Sequence, residues 1–241
     1  MTTVPPKSPR IKALTRPANG SSQPWFCLLD DDSSWLVKFS GSGPGVDALL
    51  AEYIANSLGR LWGFPIPECK PVYLDKELPR AGTDEFWDVL SASEGWNLAI
   101  RTIPDAENHT PSLQLSSSTL EAMLAFDTLL ANWDRTTMSR NLMQDGQGKL
   151  WWIDHGSCRF LHNLKTPPPL KLPQTHFLFE AKDSIEPLPL PALGLPVIRE
   201  LLANVPSQWL STLNTGPGNL ATELSGYLEA QTLKSKPSVL A

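Results

Sequence analysis

A chain of 241 residues with net charge −5 can bury most of its unfolded surface as one bilobal domain or two small ones. Its acidity excludes wholesale binding to a nucleic-acid backbone or an anionic membrane, so no direct nucleic-acid partner is expected. No apolar run approaches the ~18 residues of a membrane span and Met1–Lys7 lacks a signal-peptide core, so the expectation is a cytoplasmic protein with no membrane partner. The cysteines, Cys27, Cys69 and Cys158, are odd in number and have no paired spacing, which argues against a disulfide framework and a zinc site.

Residues 1–10 read as a flexible arm, because Pro5, Pro6 and Pro9 surround charges and no periodic pattern begins before Ile11. Strand-like runs follow at Ile11–Thr15, Pro24–Leu29 and Trp35–Phe39, separated by Asn19-Gly20-Ser21-Ser22 and by the turn from Asp30 to Ser34. This predicts an antiparallel meander. From Val46 to Trp62 the spacing turns helical, with Val46, Leu50, Ile54, Leu58 and Leu61 on one side and Glu52, Asn56 and Arg60 on the other. Gly63 is placed to cap that helix. Pro65 and Pro67 open an extended piece through Leu74, and a further strand is expected at Asn97–Ile103.

Beyond Pro104 the pattern shifts to helix. Ser118-Thr119-Leu120-Glu121 reads as a capping box heading Leu120–Ala131, apolar on most sides and so buried. Asp127 falls among Leu120, Met123, Leu124 and Leu130; a buried carboxylate needs partners, and it is expected to brace backbone N–H groups of the loop Asn132–Arg135. The Pro-rich stretch 167–196 reads as extended chain over the surface, before helices near Pro196–Asn204, Pro206–Leu213 and Asn219–Leu233. The predicted class is α+β, with strands and one helix in residues 11–104 and a mainly helical part in 105–241.

The richest stretch is Asn132-Trp133-Asp134-Arg135, followed by Asn141 and by the apolar run Leu150–Ile153 that ends in Asp154-His155-Gly156. Two carboxylates and an amide on either side of a hairpin are what magnesium-dependent phosphoryl transfer requires, and the pattern points to a kinase. Asp134 can orient an acceptor hydroxyl and take its proton while Asn141 reaches a metal; the bland alternative is a surface turn. Asp154, at the mouth of a strand, suits Mg²⁺ bridging phosphate oxygens, or simply ends the strand. Lys38 interrupts an apolar strand and Glu52 lies on the next helix, where it can pair with Lys38 and hold its ammonium toward phosphates; each alone reads as an exposed position. Gly20, Ser21 and Ser22 offer backbone N–H groups to an anion or form a plain turn. A P-loop sequence is absent. His155 beside Asp154 raises a metal or hydrolase site, but no Ser or Cys nucleophile motif accompanies it, and His109, His162 and His176 show no ligand spacing.

These residues resemble the HipA-like kinases, bacterial relatives of the protein kinase and phosphatidylinositol kinase folds. The resemblance runs over roughly residues 11–163, through Trp35–Phe39, Leu50–Tyr53, Leu61–Pro67, Phe126-Asp127, Asn132–Thr136, Asn141–Met143 and Ile153–Gly156. It implies a bilobal protein kinase-like fold, with an N-lobe of antiparallel sheet plus one helix and a mainly helical C-lobe. It also implies ATP and Mg²⁺ as cofactors, Lys38 on the phosphates with Glu52 as its anchor, Asp134 as catalytic residue flanked by Asn132 and Arg135, and Asp154 with an amide on the metal. The backbone of Ala99, Ile100, Arg101 and Thr102 would be the hinge against adenine. One departure stands out: the usual metal-binding Asn lies five residues after the catalytic Asp, at Ser139 here, whereas Asn141 lies seven after. Either a longer loop carries Asn141 to the metal, or Ser139 serves. The acceptor implied is a protein Ser/Thr hydroxyl. A nucleotide-dependent docking module without turnover and a small-molecule kinase remain as alternatives.

Overall fold

The computed structural model describes residues 8–76, 83–108, 115–165, 172–213 and 215–234. Most of the expected arm over residues 1–10 and all of His109 lie outside the described residues. Strands β1 (Ile11–Pro17), β2 (Trp25–Leu29), β3 (Ser34–Lys38), β4 (Cys69–Leu74) and β5 (Gly95–Arg101) form an antiparallel sheet in the order β1-β2-β3-β5-β4. Alternation divides its side chains between two faces. Cys27, Leu29, Trp35, Val37, Val72 and Ala99 join one apolar cluster, whereas Leu36, Leu98 and Ile100 pack with another. The register Leu36↔Ile100 and Lys38↔Leu98 puts Lys38 on this second face.

Two helices accompany the sheet, where the sequence pattern predicts one. The first, α1 (Val46–Leu61), ends as predicted at Gly63: its φ is +80°, its N–H donates to Arg60 O at 3.0 Å, and Phe64 N–H donates to Gly59 O at 2.9 Å. The second, α2 (Asp84–Ala92), is capped by Thr83 and buries Phe86 and Leu90 against the far face of the sheet. Phe86, Val89 and Leu90 stand at i, i+3 and i+4, a helical spacing that spans little more than one turn in a nine-residue segment. On the polar side of α1, Arg60 is exposed but Glu52 and Asn56 are not solvated, being 1% and 2% exposed.

After β5 come β6 (Glu107–Asn108), α3 (Ser117–Leu129), β7 (Leu142–Gln144) and β8 (Leu150–Trp152), the three strands forming a small antiparallel sheet. The α3 cap is Ser116, whose Oγ accepts from Thr119 N–H at 3.2 Å, and not the predicted Ser118. Three consecutive serines each offer a capping oxygen, and the extended backbone at Ser116 selects the first. The chain closes with α4 (Leu195–Leu202), α5 (Ser207–Leu210) and α6 (Pro217–Lys234). One apolar cluster joins α1, α3, β8, α4, α5 and α6, and two buried tyrosines tie it together: Tyr53 Oη donates to Leu201 O at 3.1 Å and Tyr227 Oη to Leu129 O at 2.6 Å. Among the described residues no helix is long and apolar enough to cross a membrane.

The stretch read as extended surface chain is instead partly turned inward. From Pro173 to Ala181 it makes successive tight turns that bury His176 and Leu178.

Candidate active site

A cleft of about 840 Å³ opens between the large sheet and the β7–β8 hairpin. Lys38, from β3, donates to Glu52 Oε1 at 2.9 Å and to Asp154 Oδ1 at 2.6 Å. Burial opposes the charge on Lys38, but Glu52 and Asp154 together outweigh it and raise its pKa. For Asp154 burial also favours the neutral form, and Lys38 reverses this, holding its pKa below the ordinary value.

The β7–β8 hairpin brings the remaining groups together. Asn141 directly precedes β7 and Asp154 follows β8, and Ile153 N–H donates to Asn141 O at 3.0 Å, so the two ends of the hairpin are adjacent. Both residues have left-handed backbones, with φ of 52° and 61°, which turn their side chains out of the strand direction; Asn and Asp tolerate this region better than most residues. The Asn141 amide nitrogen lies 3.4 Å from Asp134 Oδ2, and Ser139 Oγ donates to Asn141 Oδ1 at 2.8 Å. The extra two residues of loop therefore set Asn141 beside Asp134, with Ser139 behind it. Asp134 is exposed and, like Asn141, is not one of the residues that line the cleft; partial desolvation and then the charge of nearby Asp154 raise its pKa.

Asn132 and Arg135 lie beneath the cleft and do not line it. Both are fully buried. Asp127 accepts from Asn132 Nδ2 at 2.8 Å, from Arg135 Nε at 2.7 Å and from His176 Nε2 at 3.1 Å. It thus braces the loop mainly through side chains, where bonds to backbone N–H groups are expected from sequence; the backbone bond it accepts from this loop, Asn132 N–H to Asp127 O at 2.8 Å, uses its carbonyl. Burial alone would raise the Asp127 pKa, and the charge of Arg135 with the His176 bond depresses it to about 2.

Gly20, Ser21 and Ser22 line the cleft, as do Ile100 and Arg101. Ala99 does not: its side chain belongs to the cluster on the opposite face, and it is paired with Val37 on one side and Lys70 on the other. Strand alternation turns that side chain away, since neighbours on a strand face opposite ways; the expected hinge role is for its backbone. The wall continues instead through Thr102, Ile103 and Pro104, past the end of β5, with Met143 also lining the cleft.

Sequence reasoning missed two partners. Asn56 Oδ1 lies 2.7 Å from His155 Nδ1, and His176 reaches Asp127 from a segment without periodic pattern. The i, i+4 relation of Glu52 and Asn56 was the available signal for the first; nothing in the sequence marks the second.

The sequence matches the HipA-like kinase family over residues 11–166, more than half of the chain. The chain belongs to the HipA-like kinase family. A phosphotransferase function follows from that membership. Among solved structures, the crystal structure of the Helicobacter pylori proinflammatory kinase CtkA matches with a TM-score of 0.53 at 13% identity, covering 94% of this chain and 95% of that one. At that identity the likeness speaks for the fold, which is that of a kinase with an antiparallel N-terminal sheet. No curated protein matches.

Proposed function

We propose that this HipA-like kinase transfers the γ-phosphate of ATP, bound with Mg²⁺, to the hydroxyl of a protein Ser/Thr side chain. The observation that carries the proposal is the Lys38 ammonium held between Glu52 and Asp154 at 2.9 and 2.6 Å, with Asp134 and Asn141 side by side and Asp134 near enough to Asp154 to feel its charge. In this reading Lys38 takes phosphate oxygens, with Glu52 holding its direction, and the loop Gly20-Ser21-Ser22 covers the phosphates with backbone N–H groups. Ile100, Arg101 and Thr102 line the adenine end.

The donor set suits magnesium: the Asp154 carboxylate and the Asn141 amide oxygen are hard oxygen donors of the kind Mg²⁺ takes alongside phosphates and water. When bound, the ion neutralises charge on the phosphates. Ser139 supports the Asn141 amide, on this reading, without replacing it. Asp134 orients the acceptor hydroxyl and takes its proton. Asn132 and Arg135 act by holding that loop.

The protein acceptor is favoured by the docking of Pro173–Ala181 against the Asp134 loop, where Phe177 N–H donates to Arg135 O at 3.1 Å. Such a segment gives the acceptor side a fixed wall. A cytoplasmic location goes with the same reading, since ATP is held there. The test is incubation with γ-labelled ATP, Mg²⁺ and a panel of proteins, peptides and small alcohols. Label is expected in a protein with the wild-type chain and absent with Asp134→Ala. Label in small alcohols alone would move the acceptor class, and nucleotide binding without any incorporation would leave a docking module.

A further inference from the structure

Beneath the cleft runs a buried polar chain whose protons can be assigned one by one. Arg135 has donors only, so His155 Nε2, 3.1 Å from Arg135 Nη2, accepts, and the His155 proton sits on Nδ1 for Asn56 Oδ1 at 2.7 Å. At the other end Leu178 N–H donates to His176 Nδ1 at 3.1 Å, which leaves Nε2–H to donate to Asp127 Oδ2 at 3.1 Å. Asp127 and Arg135 join the two halves at 2.7 Å. The five residues are at most 2% exposed, so a missing partner would not be replaced by bulk water.

The chain links four separate pieces of sequence, around Asn56, Asp127–Arg135, His155 and His176. Asn56 stands one helical turn beyond Glu52 on α1. Arg135 follows Asp134, and its Nη1 donates to Arg140 O and Asn141 O, each at 2.9 Å, so one guanidinium sets both ends of the loop that carries Asp134 and Asn141. His176 forms an isolated bridge with Thr136.

We infer that His176 is a positioning residue for phosphoryl transfer: by donating to Asp127 it fixes Arg135, and through Arg135 the spacing of Asp134 and Asn141. This rests on the kinase function proposed above. The same chain, continued through His155 to Asn56, registers the wall formed by Pro173–Ala181 against the helix that holds Lys38. Loss of the His176 donor leaves a buried carboxylate short of one bond and lets the guanidinium tilt; a displacement of order 1 Å at reacting groups lowers turnover by about 10²-fold.

The test compares His176→Gln with His176→Asn. The glutamine amide reaches the Nε2 position and can donate to Asp127, while the asparagine amide reaches the Nδ1 position and falls short. Turnover is read as Mg–ATP hydrolysis with water as acceptor, and nucleotide affinity as Mg–ADP binding by calorimetry. The glutamine variant should retain kcat within about threefold and the asparagine variant should lose about 10- to 100-fold, both with unchanged ADP affinity. Equal kcat in the two variants overturns the inference, as does a parallel loss of ADP affinity. Should the asparagine variant not fold, the glutamine variant decides alone: retained kcat supports the assignment, and a loss beyond about tenfold or a failure to fold overturns it. A wild-type chain that neither hydrolyses ATP nor binds Mg–ADP would instead strike the kinase function itself, and this inference with it.

Discussion

Lys38 and Asp154, 116 residues apart, meet at 2.6 Å. The contact joins the large sheet to the β7–β8 hairpin, and Glu52 on α1 meets the same ammonium, its Oε2 at 2.7 Å and its Oε1 at 2.9 Å. Three elements thus converge on one ammonium. Removing it leaves two carboxylates facing each other, one of them 1% exposed and the other about half exposed.

Lys38→Met should therefore lose both stability and nucleotide. The buried Glu52 half of the pair sets the larger effect, on the order of 3 kcal/mol, whereas the exposed Asp154 half contributes little. Urea unfolding and Mg–ADP calorimetry check the two effects separately; a variant of wild-type stability would show that Glu52 finds another partner.

Asp134→Asn keeps the shape of the loop and removes the proton acceptor. The expected outcome is a fall in kcat of about 10²- to 10⁴-fold with nucleotide affinity unchanged. Single-turnover transfer from labelled ATP measures it.

Asn141→Ala and Ser139→Ala should separate the two candidates for the metal. The first is expected to raise the Mg²⁺ concentration needed for half-maximal activity by about 10-fold or more, the second by much less. Equal shifts in a magnesium titration would return Ser139 to the metal itself.

His155 predicts a pH dependence. Its pKa is lowered from 6.5 to about 3 by burial and then by Arg135. The unfolded chain therefore binds a proton that the folded chain refuses between these values, so stability falls as pH drops below 6.5, by about 1.4 kcal/mol per unit for one group. Thermal unfolding between pH 7 and 4 should show the slope, and His155→Gln should flatten it. Asp127, with its pKa near 2, adds loss only further down, as pH falls below the ordinary carboxylate range.

Gly59 marks where α1 meets α3. A Cβ there would come within 2.3 Å of Ile66 Cδ1 and 3.0 Å of Phe126 Cε2. Gly59→Ala should destabilise by about 1–3 kcal/mol through overpacking, measured by urea midpoint, despite the better helix propensity of alanine.

The sequence by itself determined the elements whose physics is local. Alternation set strands β1, β2 and β3, the period of Val46, Leu50, Ile54 and Leu58 set α1, and Gly63 set its end. It also marked the charged residues that interrupt apolar runs, Lys38 and Asp154, because a charge in a core segment needs a partner. What the sequence left open was which partner, since the distance between Lys38 and Asp154, or between Asp127 and His176, depends on how elements far apart in the chain pack. Tertiary structure alone decided that Asn141 lies beside Asp134 with Ser139 behind it, that the Ala99 side chain faces away from the cleft, and that Arg135 and Asn132 are buried. The physical reason is the same in each case: strand faces and helix faces are read from neighbours in sequence, but a buried donor finds its acceptor across the fold.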